Sequence, residues 1–146
     1  MIAGFGDMSI SLAIAAVGSA LGCGVAGMAA VGAWKRAFAA NKAAPFILVA
    51  FVGMPLSQTI YGMILRNGIV GANLPPETYL HQTLVGAFAG IAMAMSAYMQ
   101  GKAAAKAADA LGETGKGFVN YIMVLGVIET VALFVMVFTM TALPSV

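Results

Sequence analysis

The sequence predicts an all-α integral membrane protein of four transmembrane helices, arranged as two tandem helical hairpins. Three observations carry that expectation. Of the 146 residues, 62% are hydrophobic and 8% charged, whereas a soluble domain of this size carries about 25% charged residues. Apolar stretches able to cross about 30 Å of hydrocarbon at 1.5 Å per residue occur four times, near 8–33, 45–65, 79–103 and 117–143. The two halves, 1–72 and 73–146, also repeat one plan: a helix of small residues, a basic connection, then a bulkier helix.

The chain opens MIAGFGDMSI, without a basic segment before the apolar run, so no cleaved leader is expected. The first helix carries Gly18-xxx-Gly22 and Ser19-xxx-Cys23-xxx-Gly27, spacings that let helix backbones approach closely in lipid. Cys23 is the single cysteine, so it forms no intrachain disulfide and reads as a small packing residue. Trp34 fits an interfacial anchor, and Lys35, Arg36 and Lys42 follow it in the first connection. Helix two is bulkier and contains MPLSQTIYG; the middle connection, RNGIVGANLPPET, holds only Arg66 and Glu77 as charged groups. Helix three repeats the small-residue spacing at Gly86-xxx-Gly90, and its Ala-rich run after Gln100 favours a helix projecting beyond the bilayer. Lys102, Lys106 and Lys116 surround the last connection, with Asp109 and Glu113 read as part of a solvated turn. By the positive-inside rule the two Lys-rich connections face the cytoplasm, and both termini and the Pro75-Pro76 loop lie opposite.

What these features exclude is as informative. No basic run is long enough for nucleic acid, and no GxxxxGK[ST] phosphate loop is present, so the chain is expected to be non-catalytic, with any ATP hydrolysis elsewhere. The eleven methionines read as adaptable packing, and His81 as a wetted polar anchor at the outer interface.

Glu129 is the one ionisable group deep within a span, where a charge costs at least about 2.5–3.5 kcal/mol unless paired, solvated or neutralised. A protonated carboxyl linking two helices is the plain structural alternative. Against it, Gln58, Gln100 and Glu129 each lie about 11–13 residues from the cytoplasmic end of their helix, roughly 17–20 Å at helical rise, and so can share one layer. Ser57, Thr59 and Thr130 add hydroxyls nearby, and Pro55, lacking an amide proton, leaves a backbone carbonyl one turn earlier without its helical partner. A carboxylate, two amide oxygens, a hydroxyl and a loosened carbonyl are hard ligands of the kind that replace water around a small cation. Aligning Ser19 with Ser96 puts Cys23 opposite Gln100, and helices two and four align with Leu56 opposite Glu129, so the first half lacks the carboxylate. Two small-residue helices per chain suit an inner layer enclosed by an outer one, hence a closed ring of identical subunits.

The motifs MPLSQTIYG, SAYMQGKAAA and VIETVALFV make the chain resemble the proteolipid subunit of the rotor ring of V-type and archaeal A-type ATPases, in its duplicated four-helix form. The resemblance implies that Glu129 carries the ion through half-channels of a membrane stator subunit as the ring turns. It further implies that Ser57, Gln58 and Gln100 complete a sodium site with the Met54 carbonyl, and that Tyr61 bonds the carboxylate. Ser57 departs from the family's threonine but keeps the hydroxyl. Sodium is the expected ion, with the proton as the alternative. The implied surroundings are identical subunits, the stator, a central rotor stalk at the cytoplasmic connections, and the lipid of a prokaryotic cell membrane. A small multidrug exporter of four helices is the competing class, but its membrane glutamate lies in the first helix among aromatic residues.

Overall fold

In a computed structural model, residues 6–144 are described. They form helices α1 (Ile10–Ala39), α2 (Leu48–Gly53), α3 (Ser57–Gly71), α4 (Tyr79–Thr114) and α5 (Phe118–Thr141). A 3₁₀ turn, Met54–Leu56, joins α2 to α3, so these two form one spanning element, Leu48–Gly71, with a break at Pro55. Four helical elements are thus long and apolar enough to cross a membrane.

Helix boundaries run past the expected spans where polar residues continue a helix. α1 extends to Ala39 and α4 to Thr114, because Ala, Lys and Arg favour helix beyond the apolar stretch. Asp109 and Glu113 therefore lie on α4 instead of in the turn, and Asp109 pairs with Arg36 of α1. α3 likewise continues to Gly71, which places Arg66 on the helix and not in the connection; its Nε donates to Ser9 Oγ at 3.2 Å.

α1 and α4 lie side by side, with α3 against α1 and α5 against α4. Their approach depends on the small residues. A Cβ on Gly101 would stand 2.3 Å from the Gly22 Cα, and one on Gly22 would meet the Ala97 carbonyl oxygen at 2.4 Å and Pro55 Cβ at 2.8 Å. Two apolar cores result. One gathers Ala26, Ala30, Leu48, Phe51, Ala104, Ala108 and Leu125, and the other Ala15, Leu65, Ile69, Met93, Ala132 and Met136. Phe51 also packs on Phe118 and Tyr121, with ring centroids 5.5 and 6.2 Å away. Trp34 donates its indole N–H to the Pro45 carbonyl at 2.9 Å, closing the first connection. Along the helices, the buried polar residues Ser19, Gln58, Ser96 and Gln100 fall between the two cores.

Candidate functional site

Gln58 and Gln100 are both fully buried, and the Gln58 Nε2 donates to Gln100 Oε1 at 2.9 Å. Gln100 Nε2 in turn donates to the Leu125 carbonyl at 2.9 Å and to Glu129 Oε2 at 3.3 Å. Tyr61 closes the other side of the carboxylate, its hydroxyl donating to Glu129 Oε1 at 2.7 Å. Helices α3, α4 and α5 thus meet through side-chain amides and a phenol at the level that residue spacing predicts.

Two further oxygens lie beside Pro55, those of the Met54 carbonyl and the Ser57 hydroxyl. Ser57 opens α3, with its hydroxyl 3.3 Å from the Met54 carbonyl and 3.2 Å from Gln58 Oε1. A serine has one proton to donate, so it can satisfy only one of these two acceptors at a time. The polar layer therefore has an excess of oxygen lone pairs over protons on the Ser57 side. A cation suits such a place.

Of the expected residues, Met54, Pro55, Ser57, Gln58, Tyr61, Gln100 and Glu129 are brought together by the break and by these hydrogen bonds. Thr130 is exposed, and its hydroxyl donates to the Val127 carbonyl of its own helix at 2.7 Å, outside the network. His81 is exposed in the first turn of α4, as an anchor would be.

Two further buried polar residues hold helices together, one beside the layer and one far from it. Ser96 donates to the Ile128 carbonyl at 2.9 Å, tying α4 to α5 next to Glu129. Asp7 is fully buried at the start of α1, where its carboxylate accepts the backbone N–H of Ser9 and of Ser11, each at 3.0 Å. The sequence signal for Asp7 is an Asp just before an apolar helical run, the ordinary start signal of a helix. Its seat on α4 needs Gly86, since a Cβ there would lie 2.4 Å from Asp7 Oδ2.

Residues 84–142 match the family model of the ATP synthase C subunit. The matched stretch takes in most of α4 and all of α5, so it contains Gln100 and Glu129 but neither Gln58 nor Tyr61. The match covers less than half of the chain, and among the described residues four helices are long and apolar enough to cross a membrane. The exporter alternative is not favoured by this match. No curated protein and no solved structure matches the chain.

Proposed function

We propose that this chain is the ion-carrying subunit of the rotor ring of a V-type or A-type ATPase, in a duplicated four-helix form, and that its cargo is sodium. The observation that carries the reading is the layer of Gln58, Gln100, Tyr61 and Glu129 joined by hydrogen bonds of 2.7–3.3 Å beside the Ser57 hydroxyl and the Met54 carbonyl. A proton carrier needs the carboxylate and one acceptor, whereas a second amide, a hydroxyl and a carbonyl nearby are what a cation stripped of water requires. The duplication is supported by the two hairpins sharing one plan, and the V-type or A-type assignment by the helix-two motif MPLSQTIYG.

The mechanism is exchange with neutralisation. With sodium held by Glu129 the site is nearly neutral and tolerates the hydrocarbon. Tyr61 and Gln100 orient the two carboxylate oxygens, and Ser57 can turn its oxygen lone pairs to the ion while its O–H donates to the Met54 carbonyl. An empty carboxylate is stable only near water or an opposing cation, which a stator subunit with half-channels provides. Identical copies close the ring through heterologous contacts, and a central stalk meets the cytoplasmic connections.

The test is carbodiimide labelling of Glu129 at fixed pH. Sodium should slow the labelling in a saturable way and potassium should not. If sodium has no effect and the rate follows pH alone, the cargo is the proton and the glutamines serve helix packing.

A further inference from the structure

Ser19, in the middle of α1, is 2% exposed, and among the described residues its hydroxyl makes no hydrogen bond. A serine within a helix ordinarily turns its hydroxyl back to the carbonyl four residues earlier, here that of Ala15, and Ser19 does not. Comparable serines are satisfied across helices. Ser11, two turns earlier on the same row of α1, donates to the Gly62 carbonyl at 3.4 Å, and Ser96 of α4 donates to the Ile128 carbonyl at 2.9 Å. Buried polar atoms without a partner are rare in folded proteins, and each calls for an explanation.

The packing of α1 on α3 shows what Ser19 faces. A Cβ on Gly62 would stand 2.8 Å from Ala15 Cβ, and a Cβ on Gly22 would stand 2.8 Å from Pro55 Cβ. Residue numbers therefore rise along α1 as they fall along α3. Between those two contacts, one turn on from Ala15 and one turn back from Gly62, Ser19 comes opposite Gln58. On the other side a Cβ on Gly18 would stand 2.3 Å from Ala94 Cα, so α4 is close as well. Ser19 thus lies at the depth of the Gln58–Gln100 pair, in the wall that α1 presents to it.

Gln58 has a hydrogen to spare. A side-chain amide carries two N–H donors, and on Gln58 Nε2 one of them goes to Gln100 Oε1 at 2.9 Å while Oε1 faces Ser57 Oγ at 3.2 Å. The second N–H has no acceptor among the described residues. An orphaned oxygen on α1 and an unused hydrogen on α3 therefore face each other.

We propose that Ser19 is a positioning residue of the ion site, accepting the second hydrogen of Gln58 Nε2 and so holding the amide with its oxygen towards Ser57, Met54 and the ion. The proposal rests on the sodium reading given above. The oxygen and nitrogen of an amide stand on opposite sides of one carbon, so a rotation that brings Oε1 onto a cation beside Glu129 carries Nε2 away from it. Away from Glu129 is towards α1, because α1 and the α5 helix that bears Glu129 pack on α3 and α4 from opposite sides. Ser19 then takes the hydrogen that has turned to it, and the buried hydroxyl gains its partner as the ion gains its ligand. Ser19 touches neither the ion nor the carboxylate and acts through Gln58 alone.

The experiment titrates sodium against carbodiimide labelling of Glu129 in the purified full chain. Ser19→Ala should need about fivefold more sodium for half protection, and so should Ser19→Cys, which keeps the shape but accepts hydrogen bonds weakly. In the Gln58→Leu background Ser19→Ala should add nothing, since the amide it holds is gone. Without sodium, the pH dependence of labelling and the thermal stability of Ser19→Ala should be no worse than those of the unaltered chain, which a purely structural role would not allow. An unchanged sodium requirement in Ser19→Ala overturns the proposal. So does full retention of affinity in Ser19→Cys, which would make the side chain a filler of volume, or a further fivefold loss on top of Gln58→Leu, which would mean that it acts through packing. If sodium leaves labelling of the unaltered chain unaffected, the sodium reading falls and the role of Ser19 with it, whereas sodium protection that Ser19→Ala keeps undiminished removes Ser19 alone.

Discussion

The two hairpins share a plan and differ in how they use it. In the second, Ser96 bonds the Ile128 carbonyl, Gln100 reaches Glu129, and α5 is an unbroken helix from Phe118 to Thr141. In the first, Ser19 stands where Ser96 does in the aligned sequence, but its buried hydroxyl has no partner among the described residues. Cys23 replaces Gln100, Leu56 faces outwards, and the outer helix is interrupted at Pro55. The first hairpin has not simply lost a site. Its outer helix bonds the Glu129 carboxylate directly through Tyr61 and reaches it through Gln58 and Gln100, so on the proposed reading the site draws on both hairpins.

That comparison breaks most readily at Glu129. Glu129→Gln should reduce ion transport to background while the protein still assembles, because it removes the exchangeable charge and keeps the shape; coupled transport near the unaltered rate would sink the central reading. If the first hairpin truly lends ligands, Gln58→Leu should weaken sodium as much as Gln100→Leu does. Each loses an oxygen worth about 1.5–3 kcal/mol, roughly tenfold to a hundredfold in affinity, measured as the sodium concentration that halves carbodiimide labelling. An effect confined to Gln100 would return the site to the second hairpin alone.

Tyr61→Phe removes the hydrogen bond from α3 to the carboxylate and should cost about 1.5 kcal/mol, near tenfold in the same titration. Smaller still is the contrast between the two aligned serines. Ser96→Ala should destabilise the protein by about 1 kcal/mol, whereas Ser19→Ala, which deletes an orphaned buried hydroxyl, should be neutral or stabilising. Thermal unfolding of the two variants in one detergent reads the difference, and equal losses would mean that Ser19 has a partner within the assembly. Glu113→Gln, on the exposed end of α4, should leave sodium binding unchanged.

The sequence by itself determined the class of the protein and the level of its polar layer. Apolar length and charge scarcity decide for membrane helices because hydrocarbon admits no unpaired backbone, and helical rise carries a residue number directly into a depth. Gln58, Gln100 and Glu129 could therefore be placed in one layer from their positions along the chain. Only the tertiary structure decided which atoms of that layer meet. Rise along an axis says nothing of rotation about it, so Thr130, one residue from Glu129, serves its own helix while Ser96, a turn from Gln100, ties α4 to α5. The Ala-rich run after Gln100 did foretell that α4 projects past the apolar stretch, whereas Arg66, Asp109 and Glu113 were polar enough to suggest connections and yet lie on helices. Asp7 lay outside reach because its burial depends on Gly86, 79 positions along the chain, leaving room on α4 for a carboxylate that caps α1.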